Sequence, residues 1–318
     1  MFISCCCPRG KTEDRSPLLP NESLEGRSKA DAVGRQIILS TSATSGDPVS
    51  LSSSVKKVGQ LEEDALALQG HARAEQGDHE EALKLLQRSL KLRIEKFGEF
   101  NKNNLQSLHC EMNCYLWMME SLDALKRIEE AVSYGKKAIK AQDIYYGTRN
   151  HEAVARTIHS LGMIYLSGED NKNALLFFLQ EAEICSKIHV EEHSSIANSF
   201  MFIGITLTRL KRFAEAWDYL QKSLSMYKKI HGEKDKATQE TKEAIVNLYH
   251  ELLKMPDYEE GCNQILQLHI SKYGEKHVET ARFCWTIGTE LKTQGKKDQA
   301  LIYLEKASTI RKSLQTGV

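Results

Sequence analysis

Apolar and polar positions follow a helical period over most of the chain. Around Leu161 and Gly162, apolar residues recur every three or four positions; a polar stretch then precedes another such run from Ala174. This pattern predicts two amphipathic helices joined by a tight turn. Gly162 and Ala174 are twelve residues apart, and small residues allow close helix contact. The same step recurs from Gly70 to Ala82, Gly204 to Ala216 and Gly288 to Ala300. Because one such pair cannot bury its own apolar face, the copies must stack.

The helix pairs repeat about every 42 residues. The small residues of the second helices are Ala82, Ala131, Ala174, Ala216, Gly261 and Ala300. They predict six hairpins, of which the fifth is irregular because Gly261 replaces alanine and Pro256 lies in the turn. Between hairpins, an aromatic residue or histidine precedes a glycine that fits a helix C-cap with positive φ. These glycines are Gly98, Gly147, Gly232 and Gly274.

The first 54 residues have a different composition. Four of the five prolines lie among them, and their only apolar run is Ile37-Ile38-Leu39, which is too short to form a core. We therefore expect two parts: a disordered tail, 1–54, and a helical repeat domain, 55–318.

The repeat positions resemble tetratricopeptide repeats, in particular the longer-period repeats of kinesin light chains, over residues 57–315. The best matches to the repeat pattern are Gly162/Tyr165/Ala174, Gly204/Ala216 and Gly288/Gly295/Ala300/Ala307. The resemblance implies an all-α, right-handed solenoid of about six hairpins. It also implies a concave groove lined by the first helices, which holds peptides or partner helices without catalysis. Asparagines that contact cargo peptides in kinesin light chains are mostly replaced here, and no heptad coiled coil precedes the repeats.

The helical phase of the first helices predicts which side chains line this groove. They are Arg156, His159, Met163, Asn198, Met201, Ile205, Arg209, Arg282, Trp285, Thr289 and Lys292. A lining that mixes basic and apolar groups suits a peptide with acidic and hydrophobic residues. Alternatively, Met201, Ile205 and Trp285 pack between neighbouring hairpins.

Cys5, Cys6 and Cys7 lie beside apolar and basic residues at the N-terminus, which is typical of S-acylation sites. Two or three acyl chains would anchor the chain stably to a membrane. Phe2 excludes N-myristoylation, and adjacent cysteines cannot surround a tetrahedral metal ion. The alternative is an unmodified, disordered terminus.

Two further short motifs occur at the ends of the sequence. Asp14, with Leu18 and Leu19, matches the acidic-dileucine sorting signal read by clathrin adaptors, next to a phosphorylatable Ser16-Pro17. Thr316-Gly317-Val318 fits the terminus that PDZ domains bind, but we favour the alternative, a frayed tail after the last helix.

Composition excludes several classes of function. Lys and Arg together number 43, as do Asp and Glu, so no net field attracts nucleic acid. There is no apolar run of membrane-spanning length and no secretory signal. The five scattered cysteines read as buried reduced thiols, and Cys110 with Cys114 lacks the further ligands of a metal site. Without a phosphate loop or a catalytic motif, we expect no enzyme activity, cofactor, metal or small-molecule substrate.

Two functions remain open. The first is a non-enzymatic scaffold or adaptor, held by its acylated tail at the cytosolic face of the plasma membrane or of endosomes or lysosomes. The second is a soluble subunit of a larger motor- or cilium-associated assembly. In that assembly the outer or end surfaces would make the contacts, for example Trp117, Met118 and Met119 of the second hairpin.

Overall fold

The computed structural model describes residues 51–189 and 192–316, with side chains from 62 to 189 and from 192 to 315. Within these ranges the chain forms twelve α-helices and no strand. The helices are α1 (Leu51–Glu75), α2 (His79–Phe97), α3 (Leu105–Ala124), α4 (Ile128–Tyr146), α5 (Glu152–Ser167), α6 (Asn171–Ile188), α7 (Ser194–Arg209), α8 (Phe213–His231), α9 (Lys236–Leu253), α10 (Tyr258–Tyr273), α11 (Val278–Thr293) and α12 (Lys297–Thr316).

Consecutive helices pair into six hairpins, from α1–α2 to α11–α12. From Lys56 onwards they belong to one compact unit, in which each hairpin packs against the next one along the chain. This arrangement confirms the predicted all-α, right-handed solenoid of six hairpins. The odd-numbered helices are the first helices of the hairpins, and the even-numbered helices are the second.

Four hairpins close through a glycine on the first helix, which we call the close-approach position. A Cβ atom built on Gly204 would lie 2.5 Å from Cγ of Leu220, and one on Gly162 would lie 2.6 Å from the ring of Phe178. Gly70 faces Leu86 and Gly288 faces Leu304 in the same way. A large side chain on the second helix therefore fills the space that the missing side chain leaves.

Hairpin 2 meets the same requirement with the roles exchanged. Met119 occupies the close-approach position, and the facing residue on α4 is Gly135, where a Cβ atom would lie 2.8 Å from Sδ of Met119. The same Cβ atom would lie 2.5 Å from Cδ2 of Leu161 in hairpin 3. One small residue per hairpin is sufficient, and either helix can carry it.

Hairpin 5 has no glycine at the two positions that Gly204 and Leu220 occupy in hairpin 4. Tyr249 stands at the first of them, the close-approach position, and Ile265 stands at the second. Helices α9 and α10 consequently make far fewer close backbone approaches than α7 and α8. The Tyr249 ring instead lies in the core, with its hydroxyl 3.2 Å from Nε1 of Trp217.

The turn of hairpin 5 is also different. In the other hairpins three residues separate the helices, and one of them has a left-handed backbone. The left-handed residues are Gly77, Lys126, Glu169, Lys211 and Gly295, with φ between 61° and 84°. The equivalent residue in hairpin 5 is Pro256, whose ring fixes φ near −65°. Its turn has four residues and adopts another path.

A glycine with positive φ begins four of the linkers between hairpins. The predicted C-cap glycines have positive φ: 82° at Gly98, 67° at Gly147, 89° at Gly232 and 99° at Gly274. This confirms the role expected from the sequence, because positive φ strains any residue with a side chain.

Three of the following helices begin at a histidine N-cap. Nδ1 of His151 accepts a hydrogen bond from the N–H of Ala153, and the ring stacks 3.6 Å from that of Tyr146. His193 and His277 cap α7 and α11 in the same way. Each imidazole thus connects the end of one hairpin to the start of the next.

Candidate binding groove

The first helices lie side by side and form one layer of the solenoid. The ring centroids of His71 and Trp117 are 4.4 Å apart between α1 and α3, and those of His159 and Phe202 are 4.9 Å apart between α5 and α7. Sδ of Met201 on α7 accepts a hydrogen bond of 3.4 Å from the hydroxyl of Thr241 on α9. The second helices form the other layer, in which Trp217 on α8 contacts His269 on α10.

The open face of the first-helix layer has a regular register. The residues two before and one after the close-approach position point away from the second helices, because helical geometry places them opposite the buried stripe. They form six pairs: Leu68/His71, Trp117/Glu120, Ser160/Met163, Phe202/Ile205, Asn247/His250 and Thr286/Thr289. None of these side chains is buried, so the pairs line a continuous accessible surface, which we call the groove.

Several predicted groove residues do lie on this face. Met163, Ile205 and Thr289 belong to the pairs, and Arg156 and Arg282 lie one turn earlier on their helices. Exposed Lys292 lies at the end of α11.

The predicted groove arginines already have partners within the chain. Arg156 lies 3.6 Å from Glu152, and Arg282 lies 3.0 Å from Glu279. Nη1 of Arg209 donates to the carbonyl oxygen of Leu166 at 3.1 Å, which ties hairpin 4 to the end of α5. Oδ1 of Asn198 accepts from the hydroxyl of Tyr227.

His159, Met201 and Trp285 share the position three before the close approach, and this position faces the next hairpin. His159 contacts Oε2 of Glu181 at 2.9 Å, and Met201 is 7% exposed. Met201 therefore packs between hairpins, as the alternative interpretation of the sequence has it, and His159, which that interpretation did not include, packs against Phe202 of the next hairpin. Trp285 is 46% exposed because, within the described residues, no hairpin follows; the Arg311 guanidinium lies 4.9 Å from its ring centroid.

The groove residues predicted from the sequence begin on α5 and so leave out the first end of the groove, on α1 and α3. Leu68, His71, Trp117 and Glu120 occupy the same register on α1 and α3. Aligning their helices on Gly70 and Met119 would have identified them. The prediction that Met118 and Met119 of hairpin 2 form an interface is wrong, because both side chains are almost fully buried.

A buried polar cluster joins hairpins 4, 5 and 6. Nε1 of Trp217 donates to Nε2 of His269 at 3.1 Å and to the Tyr249 hydroxyl at 3.2 Å, while the His269 ring stacks on Phe283. Burial raises the pKa of Tyr249 and lowers the pKa of His269 to about 4. The cluster is therefore neutral at physiological pH and serves to hold three hairpins together.

A pocket lies between the turn of hairpin 4 and the helices of hairpin 5. Its volume is about 320 Å³, and Phe213, Leu252, Met255 and Gly261 contribute to its walls. Its charged walls are Lys211, Arg212, Glu215, Asp257 and Glu260, two cations and three carboxylates, of which Arg212 and Glu215 form an ion pair.

The described cysteines form no disulfide. Burial raises the pKa of Cys114 and Cys185 to about 11 and that of Cys262 to about 12, so these thiols stay protonated and pack as apolar groups. In the described part of the chain, no three His, Cys, Asp or Glu side chains gather as metal ligands would.

No described helix is long and apolar enough to cross a membrane. The predicted acylation residues Cys5, Cys6 and Cys7 and the sorting residues Asp14, Leu18 and Leu19 lie outside the described residues, as do Gly317 and Val318.

Comparison with known proteins agrees with the fold. Three tetratricopeptide repeat models match, over residues 155–229, 70–101 and 281–313. No curated protein sequence matches the chain significantly.

Two solved structures have a similar fold. The nearly identical tetratricopeptide-like repeats of a Podosopora anserina protein, described as a kinesin light chain, superpose with a TM-score of 0.50 at 14% identity, covering 67% of this chain and 96% of that one. A signal transduction ATPase of Pyrococcus horikoshii with a tetratricopeptide repeat sensor gives 0.51 at 14% identity, covering 79% of this chain and 36% of that one. The chain therefore contains tetratricopeptide repeats, and its six hairpins fold like the repeats of the kinesin light chain structure.

Proposed function

We propose that this protein is a non-enzymatic scaffold or adaptor that holds other proteins in the groove. One observation carries the proposal: six successive first helices present accessible side chains in one register, while the residues between the members of each pair are buried, except Gln69. A periodic surface of this kind suits an extended peptide or a partner helix, which can contact several hairpins at once.

Site-specific photo-crosslinking tests the groove. A photoreactive amino acid at Asn247, which is exposed on α9, should capture the partner in cells. The same group at Ile302, 65% exposed on the second helix α12, is the matched control and should capture little. Capture from position 302 alone would contradict the proposal.

We also propose that Cys5, Cys6 and Cys7 carry acyl chains that hold the repeats at the cytosolic face of a membrane. Support comes from the sequence, in which three thiols lie beside Phe2, Ile3 and Arg9. An anchor would raise the local concentration of the groove near membrane proteins and so increase avidity without new contacts.

Changing all three cysteines to serine should abolish hydroxylamine-sensitive palmitate labelling and move the protein to the soluble fraction. Unchanged labelling and fractionation would overturn the anchor and leave the groove proposal intact.

The acidic-dileucine motif would direct the anchored protein to endosomes or lysosomes through a clathrin adaptor. Replacing Leu18 and Leu19 by alanine should then shift the protein towards the plasma membrane while acylation stays normal. An unchanged distribution would remove the motif from the proposal.

A second candidate is a soluble subunit of a larger assembly, and the last hairpin favours it. Leu301 on α12 is 55% exposed, whereas the equivalent residues of the preceding five hairpins are buried against the next hairpin. Those residues are Leu83, Val132, Leu175, Trp217 and Cys262. Together with exposed Trp285, Leu301 would suit an end contact in a larger assembly, such as a motor-associated one. The similar structure described as a kinesin light chain is the reason to name a motor. Purification of partners with and without residues 1–54 separates the candidates, because only the adaptor needs its tail.

A further inference from the structure

Four side chains form a patch at the first end of the groove. Leu68 and His71 lie one turn apart on α1, and Trp117 and Glu120 lie one turn apart on the neighbouring α3. The two helices are joined there by the His71 and Trp117 rings, with centroids 4.4 Å apart and planes at 45°. Leu68 is 58% exposed and Glu120 is exposed, so two of the four side chains remain largely open to solvent.

The Glu120 carboxylate stands out from the other charges of the groove. Arg156 and Arg282 have carboxylate partners, and Arg209 donates to a backbone oxygen. In the part of the chain whose side chains are described, no lysine or arginine forms an ion pair with Glu120, and only His71 interacts with it electrostatically. The three predicted groove arginines thus have partners within the chain, whereas Glu120 has no lysine or arginine partner among the described side chains.

The surroundings of Glu120 favour an incoming cation. Although Glu120 is exposed, desolvation by the neighbouring protein atoms raises the pKa of its carboxyl group. The indole of Trp117, one turn away, offers the aromatic surface that attracts cations most strongly. A guanidinium can stack on such a ring while donating two hydrogen bonds to a carboxylate, which an ammonium cannot do.

We propose that Trp117 and Glu120, with His71 and Leu68, form a subsite for an arginine side chain of the bound protein, next to an apolar residue that packs on Leu68. This inference rests on the proposed function of the groove and names the chemistry of its partner. It also replaces the preference for acidic peptides expected from the arginines, because their guanidinium groups already have partners within the chain.

Two peptide libraries test the subsite, each of nine-residue fluorescent peptides with leucine beside a fixed central residue and random flanks. The fixed residue is arginine in one library and glutamate in the other. The wild-type repeat protein should bind the arginine library at least about tenfold more tightly, as expected for a charge-assisted bidentate contact. Glu120→Gln should remove this preference, whereas Glu243→Gln, at an exposed position of α9, should keep it.

A third variant separates arginine from a generic positive charge. Trp117→Leu keeps an apolar side chain but removes the ring, so its preference for arginine over lysine should fall several-fold. Circular dichroism of each variant confirms folding. Equal binding of the two libraries by wild type, or a preference that persists in Glu120→Gln, overturns the subsite but leaves the groove in place. Failure of both libraries to bind overturns the subsite, and failure of position 247 to capture a partner overturns the proposed function separately.

Discussion

Gly204 has no room for a side chain. A Cβ atom there would lie 2.5 Å from Cγ of Leu220 and 3.1 Å from the carbonyl oxygen of Ala216. Both atoms lie on the facing helix and close to its backbone, so they cannot move aside without moving the helix. Close contact between the helices of a hairpin therefore depends on the absence of a single methyl group, which has two measurable consequences at the scale of residues.

We expect Gly204→Ala to destabilise the protein by about 1–3 kcal/mol, because overpacking forces the two helices of hairpin 4 apart. Thermal or urea unfolding measures the change. Gly168→Ala is the matched control: its Cβ atom would lie 3.3 Å from Ile128 and its φ is negative, so we expect little effect. Equal losses in both variants would contradict the close-packing account.

His269 should make the protein sensitive to acid. Burial lowers its folded pKa to about 4 from an ordinary 6.5, so between these values only the unfolded chain takes up the proton. The contribution of neutral His269 is complete above pH 6.5 and is lost as the pH falls, by about 2 kcal/mol at pH 5. Unfolding of His269→Gln, whose amide can still accept from Trp217, should depend less on pH over this range than wild type. Identical slopes would show that other groups control the acid response.

At the scale of elements, the hairpin turns combine a fixed geometry with a variable residue. Gly77 and Gly295 adopt the left-handed conformation freely, whereas Lys126, Glu169 and Lys211 adopt it with a strained backbone. The turn geometry is therefore imposed by the packing of the two helices rather than by the turn residue.

Relief of this strain should stabilise the fold. We expect Lys126→Gly to raise the free energy of unfolding by up to about 1 kcal/mol, since the strain removed exceeds the entropy that glycine adds to the unfolded chain. Lys126→Ala keeps a Cβ atom and should give no gain. A loss of stability in the glycine variant would show that the lysine side chain contributes more than its backbone costs.

The regular hairpins were predictable from the sequence because a small residue on each helix, twelve residues apart, leaves a local signal. The C-cap glycines were predictable for the same reason. The exchange of Met119 with Gly135 was not, since close approach constrains a pair of facing residues and not one position. Nor did helical phase alone separate His159 and Met201 from the groove, because their burial depends on the angle at which the next hairpin packs.

At the scale of the whole molecule, the repeats are not equivalent. Hairpin 3 has a close-approach glycine and a standard turn and begins after the N-cap His151; hairpin 4 begins in the same way after His193. Hairpin 5 instead places Tyr249 between Trp217 of the preceding hairpin and Phe283 of the following one. Neighbouring hairpins thus interlock around hairpin 5.

Two deletions of equal length test this difference. Removing residues 152–193 joins His151 to Ser194 and restores an N-cap, so we expect a folded protein with cooperative unfolding. Removing residues 236–277 deletes Tyr249 and His269, the two hydrogen-bond partners of the Trp217 indole. It should cost about 3 kcal/mol more, through a cavity and an unpaired indole N–H. Similar unfolding curves for the two deletions would show that hairpin 5 is an ordinary unit.

Repeat proteins usually change length in evolution by duplicating or losing whole units, since each unit recognises its neighbours by the same surface. Tyr249 restricts that freedom to one side of the molecule. Hairpins 1 to 3 can be multiplied or lost without disturbing the contacts of Tyr249, whereas hairpins 4 to 6 must be inherited together. Natural variation in the number of units should therefore be confined to the N-terminal half of the array.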